Sequence, residues 1–176
     1  MRRLMLKSGL ATLALAFAVA GSAQNASAGA APMAAPPVTP YGVSIGIDMV
    51  KRVAAAALVE ARKNNFYMVV AVVDTAGNLV YFEKMDGAQN GSVVIAVDKA
   101  RSSALFRRPT KAFQDAVAQG GVGLRFLGIP GAVPVEGGLP LVVGGQLIGA
   151  IGVSGMPSDK DGIVAQAGAD FAATLT

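Results

Sequence analysis

The chain has 176 residues, 53% of them apolar, a formal net charge of +4, and neither cysteine nor histidine. Without those two residue types it has no Ser-His-Asp or Cys-His nucleophile system, no zinc site of the His/Cys kind, no histidine-ligated haem and no disulfide. Stability must come from packing or from association between copies.

Arg2, Arg3 and Lys7 precede an apolar run from Leu10 to Ala20, and small residues follow, which is the layout of a secretory signal peptide. Ala26-Ser27-Ala28 offers an A-x-A cleavage site, with Gly21-Ser22-Ala23 as a second candidate, so residues 1–28 are read as the signal. The run is short for a membrane span, so the expectation is a periplasmic or secreted protein with no stable membrane insertion. Residues 1–28 hold three basic and no acidic residues, so the 15 Lys+Arg and 11 Asp+Glu of the whole chain become 12 and 11 after cleavage. A net charge of +1 gives no reason to expect a nucleic-acid partner. Residues 29–43, opening "GAAPMAAPPVTP", read as a flexible Ala/Pro-rich lead-in, and residues 44–176 as a single domain large enough to bury a core.

Within that domain, Asp48 to Asn64 carries Val50, Val53, Ala54, Ala57, Leu58 and Ala61 at helical spacing, which predicts an amphipathic helix. The β-branched run Tyr67 to Asp74 and the segment Leu79 to Glu83, separated by "TAGN", predict a buried strand and its hairpin partner. "FEKMDGAQNGS" then places Glu83 and Asp86 at a strand end, where they are candidates for a general base or for hard oxygen ligands to iron, or are simply a polar turn. Ser92 to Phe106 returns to helical spacing, and Pro109 forbids its smooth continuation.

The stretch "LFRRPTKAF" follows, and two readings of it stand side by side. Thr110 can cap a helix running from Lys111 to Gln119, with Arg107 and Arg108 in solvent. Alternatively Arg107, Arg108, Lys111 and that helix start converge on one anion, with a carboxylate as the best fit. The Gly/Pro-rich segment 121–140 is expected to be a connection with room for one short strand, and Gly121-Val122-Gly123 fails as a dinucleotide fingerprint because the further glycine is missing. Gly144-Gly145 signals a hairpin between "LVV" and "QLIGAIGVSG". Gly149, Gly152 and Gly155 either leave flat space for a ligand or another subunit, or mark close backbone packing. A last helix is predicted over Lys160 to Ala173. Helices interleaved with tightly turned strands make the class α+β, with an antiparallel sheet.

"VVDTAGNLVYFEKMDGA", "ALFRRPTKAF", "GAVPVEGGLPLVV" and "GAIGVSG" together resemble the GlcG/HbpS haem-binding family, related to the C-terminal domain of PduO-type proteins, over nearly all of residues 44–175. The resemblance implies a three-layer α-β-α sandwich around an antiparallel sheet of about five strands, a homo-oligomer, and extracytoplasmic haem binding, a family property that is often extended to haem degradation. It further implies that Thr110 matters for haem and is the candidate metal ligand. Charge adds Arg107, Arg108 and Lys111 as partners for the propionates. The other reading kept open is an enzyme or accessory protein of small aromatic or hydroxy-acid catabolism. There the Arg/Thr cluster would hold a substrate carboxylate while Glu83 or Asp86 serves as base.

Overall fold

The first helix, α1 (Ile47–Lys63), buries Val50, Val53, Ala54, Ala57, Leu58 and Ala61, all six of the residues its spacing singled out. Asp48 in its first turn and Arg62 and Lys63 in its last suit the helix dipole. This is a computed structural model, and it describes residues 38–175, so the expected signal peptide and most of the lead-in lie outside the described residues. The described residues fall within one compact unit.

Strand β1 (Val69–Val73) is buried along its whole length and pairs antiparallel with β2 (Leu79–Lys84). Their turn is held by Asp74, whose Oδ1 accepts from the backbone of Ala76 at 2.9 Å and of Asn78 at 2.8 Å. Helix α2 (Ser92–Phe106) and the short α3 (Lys111–Ala118) come next, then a 3-10 helix (Gly121–Leu127). The chain ends with β3 (Gly138–Val143), β4 (Gln146–Ser154) and α4 (Ser158–Ala173). Gly144 and Gly145 join β3 to β4 with φ of 56° and 76°, the two positive values that a tight primed turn requires.

The sheet runs β2-β1-β4-β3, antiparallel throughout. Alternation along β1 divides the core between two faces. Val70 and Val72 pack with Ile151, Val153 and the apolar stripes of α1 and α4. Val69, Ala71 and Val73 meet Ala96, Ala100 and Ala104 of α2. Helices therefore cover both faces, with α1 and α4 on one and α2 on the other.

The expected sheet of about five strands is corrected to four among the described residues. The segment thought to hold a short strand instead forms the 3-10 helix and an irregular loop. Gly120, Gly121, Gly131 and Gly137 all take positive φ there, which breaks any extended run. At the place of a further strand there is one parallel bridge, Tyr41 to Leu147, supported by Gly42 N donating to Leu147 O at 2.8 Å and Leu147 N to Pro40 O at 2.9 Å.

The glycines in and just after β4 leave no flat space. A Cβ at Gly152 would strike the carbonyl of Ala96, and one at Gly155 would strike that of Tyr67, so these positions let backbones touch. No helix among the described residues is long and apolar enough to cross a membrane.

Candidate functional site

Arg107 ends α2 in the left-handed conformation, φ 53°, which turns the chain sharply toward Pro109. Its guanidinium lies 5.0 Å from the centre of the Tyr41 ring, and its Nη1 donates to the Thr39 carbonyl at 3.4 Å. Tyr41 in turn donates its hydroxyl to the carbonyls of Ala104 and Leu105 at 3.2 and 3.1 Å, so the segment before α1 is strapped across the end of α2.

Arg108 points elsewhere. It is exposed, its Nε donates to the Phe106 carbonyl at 3.2 Å, and its guanidinium sits 5.6 Å from the centre of Phe113. Lys111 is engaged with Asp115, 2.7 Å from both carboxylate oxygens, and that hydrogen bond holds its ammonium above the ordinary lysine value. The three cationic side chains of the turn thus face three directions.

Thr110 stands at the N-cap position of α3, but its side chain makes no capping hydrogen bond. Its backbone is already helical, at φ −64° and ψ −23°. It is fully buried and faces Gly138 at the start of β3, donating its N–H to the Gly138 carbonyl at 3.0 Å while its Oγ1 accepts from the Gly138 N–H at 2.9 Å. A hydroxyl so placed is a strut between the turn and the sheet, with no exposed surface of its own.

Glu83 and Asp86 lie apart from the turn. Glu83 pairs across the ladder with Val70 on the α1 face of the edge strand β2, whereas the turn docks on β3 at the opposite edge. Its Oε2 accepts from the Tyr81 hydroxyl at 2.6 Å, a bond that raises the tyrosine pKa, and its Oε1 stands 3.9 Å from Arg62. Asp86 is exposed in the turn after β2. Among the described residues no group of three or more acidic side chains is placed to hold a metal ion.

Two features emerge that sequence reasoning missed. The first is an aromatic stack: Phe106 meets Phe113 edge-on at 5.3 Å, Phe113 meets Phe126 at 4.9 Å, and Arg125 rests 5.3 Å from the centre of Phe126. Leu105, Leu124 and Leu127 are exposed in the same segments, Leu127 at 64%. An arginine beside an aromatic in "GLRFLG" was the available signal.

The second is an ion pair at the centre of the domain. Lys99 Nζ lies 2.7 Å from Asp161 Oδ2, both side chains are buried, and Lys99 also donates to the Val153 carbonyl at 3.1 Å. Asp161 Oδ1 accepts from Met156 N at 3.1 Å. Burial pushes the lysine pKa down and the aspartate pKa up, against the attraction between the two. Gly137 presses directly on this pair, since a Cβ there would meet the Lys99 ammonium and Asp161, and Gly138 packs on the Lys99 backbone carbonyl. The pair therefore sits behind the strand start that Thr110 holds.

A cleft of about 470 Å³ lies between α1, α4 and the loop before β3, lined by Glu60, Glu136, Asp159, Asp170, Ile163 and Gln166. Four carboxylates make it hostile to an anionic ligand.

Residues 45–170 match the family model described as "Haem degrading protein HbpS-like". Protein GlcG of Escherichia coli (strain K12) is 39% identical over 112 residues, which cover 64% of this chain and 82% of that protein. A crystal structure of a double mutant of HbpS from Streptomyces reticuli superposes with a TM-score of 0.68 at 32% identity, covering 84% of this chain and 98% of that one. The crystal structure of a PduOC haem complex gives 0.66 at 27% identity, covering 73% and 95%.

Proposed function

The chain belongs to the HbpS-like family, and from that premise we propose that it is an exported haem-binding protein whose ligand docks beside the turn Arg107–Lys111. The observation that carries this reading is Arg108, an exposed guanidinium with no carboxylate partner among the described residues, held over Phe113 next to exposed leucines. A haem presents a flat apolar body and two carboxylates, and that surface offers the complement of both.

The fit is to the rim of the macrocycle rather than to its iron. The whole chain has no histidine or cysteine, so a bound iron would be left to a weak oxygen donor, Thr110 or solvent, and is expected to be high-spin. Bound haem would supply iron redox chemistry. Thr110 serves it by fixing the turn on β3, Arg108 by meeting a propionate, and Arg107 and Lys111 join once they leave Tyr41 and Asp115. Export to the periplasm or beyond is part of the proposal, supported by residues 1–28.

Self-association is also proposed. Leu79 and Phe82 of β2 share the ladder positions of Val73 and Ala71, yet both are exposed, and β2 has a free edge. A second copy covering them would supply stability that a chain without disulfides lacks.

Mixing the protein with haemin tests the central reading. A saturable Soret band is expected, and its absence moves the ligand to a small carboxylate bound at the same cluster.

A further inference from the structure

A flat apolar dianion is best held by two cationic contacts, and Arg108 is the one cation of the turn that is both exposed and without a carboxylate partner among the described residues. Arg107 is drawn to Tyr41 and Thr39, and Lys111 is held at 2.7 Å by Asp115. We infer that Arg125 of the 3-10 helix is the second anion-holding group, so that Arg108 and Arg125 clamp the two carboxylates of a flat, apolar dicarboxylate such as haem across the exposed apolar face of that helix, whose Phe126 packs on the buried Phe113. The inference rests on the haem-binding reading above and adds to it the residue and the wall that complete the site.

Arg125 is exposed and makes no ion pair or side-chain hydrogen bond among the described residues; six other basic residues there do have carboxylate partners. Its guanidinium rides on Phe126, Phe126 packs at a 54° tilt against the buried Phe113, and Phe113 carries Arg108, so both charges are anchored on one aromatic pair. A guanidinium over a ring face keeps its donors free at the edge for an incoming carboxylate.

The wall is also built in advance. Gly123 lies so close to α3 that any side chain there would strike the Ala116 carbonyl, which presses the 3-10 helix against α3. Val122, Leu124 and Leu127 remain largely in water on that helix, at 83%, 49% and 64% exposure, beside the arginine. Apolar residues left in water beside unpaired guanidiniums match a ligand with an apolar body and anionic edge. The acidic cleft of Glu60, Glu136, Asp159 and Asp170 offers the opposite charge and is no competitor for it.

The test titrates the whole protein, as wild type and as Arg125→Gln, Arg125→Lys and Arg108→Gln, with haemin and with haemin dimethyl ester, whose carboxylates are masked. Dissociation constants are read from the Soret band, and a thermal melt accompanies each variant. The inference predicts that Arg125→Gln weakens haemin binding about tenfold, equivalent to about 1.4 kcal/mol. Ester binding stays at the wild-type value, and Arg125→Lys recovers part of the loss. If Arg125→Gln binds haemin like the wild type while Arg108→Gln does not, Arg125 is overturned and the haem reading stands. Equal loss of haemin and ester also overturns it, because the residue would then act through packing. A wild type that binds neither ligand removes the haem reading and the clamp with it.

Discussion

Replacing Asp161 by asparagine leaves Lys99 charged and without its counter-ion inside the domain, next to the strand start on which the R-R-P-T turn is docked. At 2.7 Å the pair attracts by about 6 kcal/mol at an effective dielectric near 20. The desolvation of both buried groups offsets much of this, and breaking such a pair from one side typically destabilises by about 3–5 kcal/mol. For a domain of this size that lowers the melting midpoint by about 10 °C or more. The asparagine can still accept from Met156 N, so the effect isolates the charge. Lys99→Met combined with Asp161→Asn should recover most of the loss, since no charge then remains buried.

The pH dependence has a definite sign. Burial already lowers the Lys99 pKa, and removing Asp161 takes away a hydrogen bond and a charge that raise it, leaving Glu136 as a remaining charge that favours the ammonium. A lysine with a depressed folded pKa contributes full stability above its unfolded value, about 10.4, and loses it as pH falls through the folded value. The deficit of Asp161→Asn is therefore largest near neutral pH and shrinks on going to pH 10, by at most about 1.4 kcal/mol per unit. Urea denaturation of the two variants and the wild type from pH 6 to 10 measures it. A deficit below about 1 kcal/mol that stays flat with pH would refute the reasoning.

Thr110→Ala should lower stability by about 1–3 kcal/mol, because the buried Gly138 N–H loses its acceptor, and Thr110→Ser should restore it; thermal melts of both decide whether the hydroxyl is a strut. Gly152→Ala should destabilise by about 1–3 kcal/mol or prevent folding, since the methyl meets the Ala96 carbonyl where α2 crosses β4, and soluble yield with a melt reads it. Light scattering of the protein at micromolar concentration should give a multimer, with Phe82→Lys shifting it toward monomer; a monomeric wild type would count against self-association.

The elements legible in the sequence are those whose signal is local. All six buried residues of α1 recur at helical spacing, and Gly144-Gly145 is the turn that two positive φ values demand. The segment from Gly121 to Gly137 has no period, so its 3-10 helix, formed where a strand was expected, depends on docking against Ala116. Lys99 lies in phase with Ser92, Ala96 and Ser103 on the buried face of α2, a placement that a charged residue disguises and that Asp161, 62 positions on, makes tolerable. The R-R-P-T motif marked the right neighbourhood, but its side chains are sorted by partners far away in sequence: Tyr41 takes Arg107 and Gly138 takes Thr110. Arg125 joins Arg108 only through two rings, Phe113 and Phe126, brought together by α3 and the 3-10 helix.

The central claim is that haem binds at this turn, and haemin titration of the wild type against an Arg107→Ala, Arg108→Ala double variant tests it most directly. Charge-assisted contacts are worth about 1.5–3 kcal/mol each before solvent screening, so at least a tenfold loss of affinity is expected in a variant that still melts cooperatively. A folded double variant with wild-type affinity and an unchanged Soret band would contradict the account.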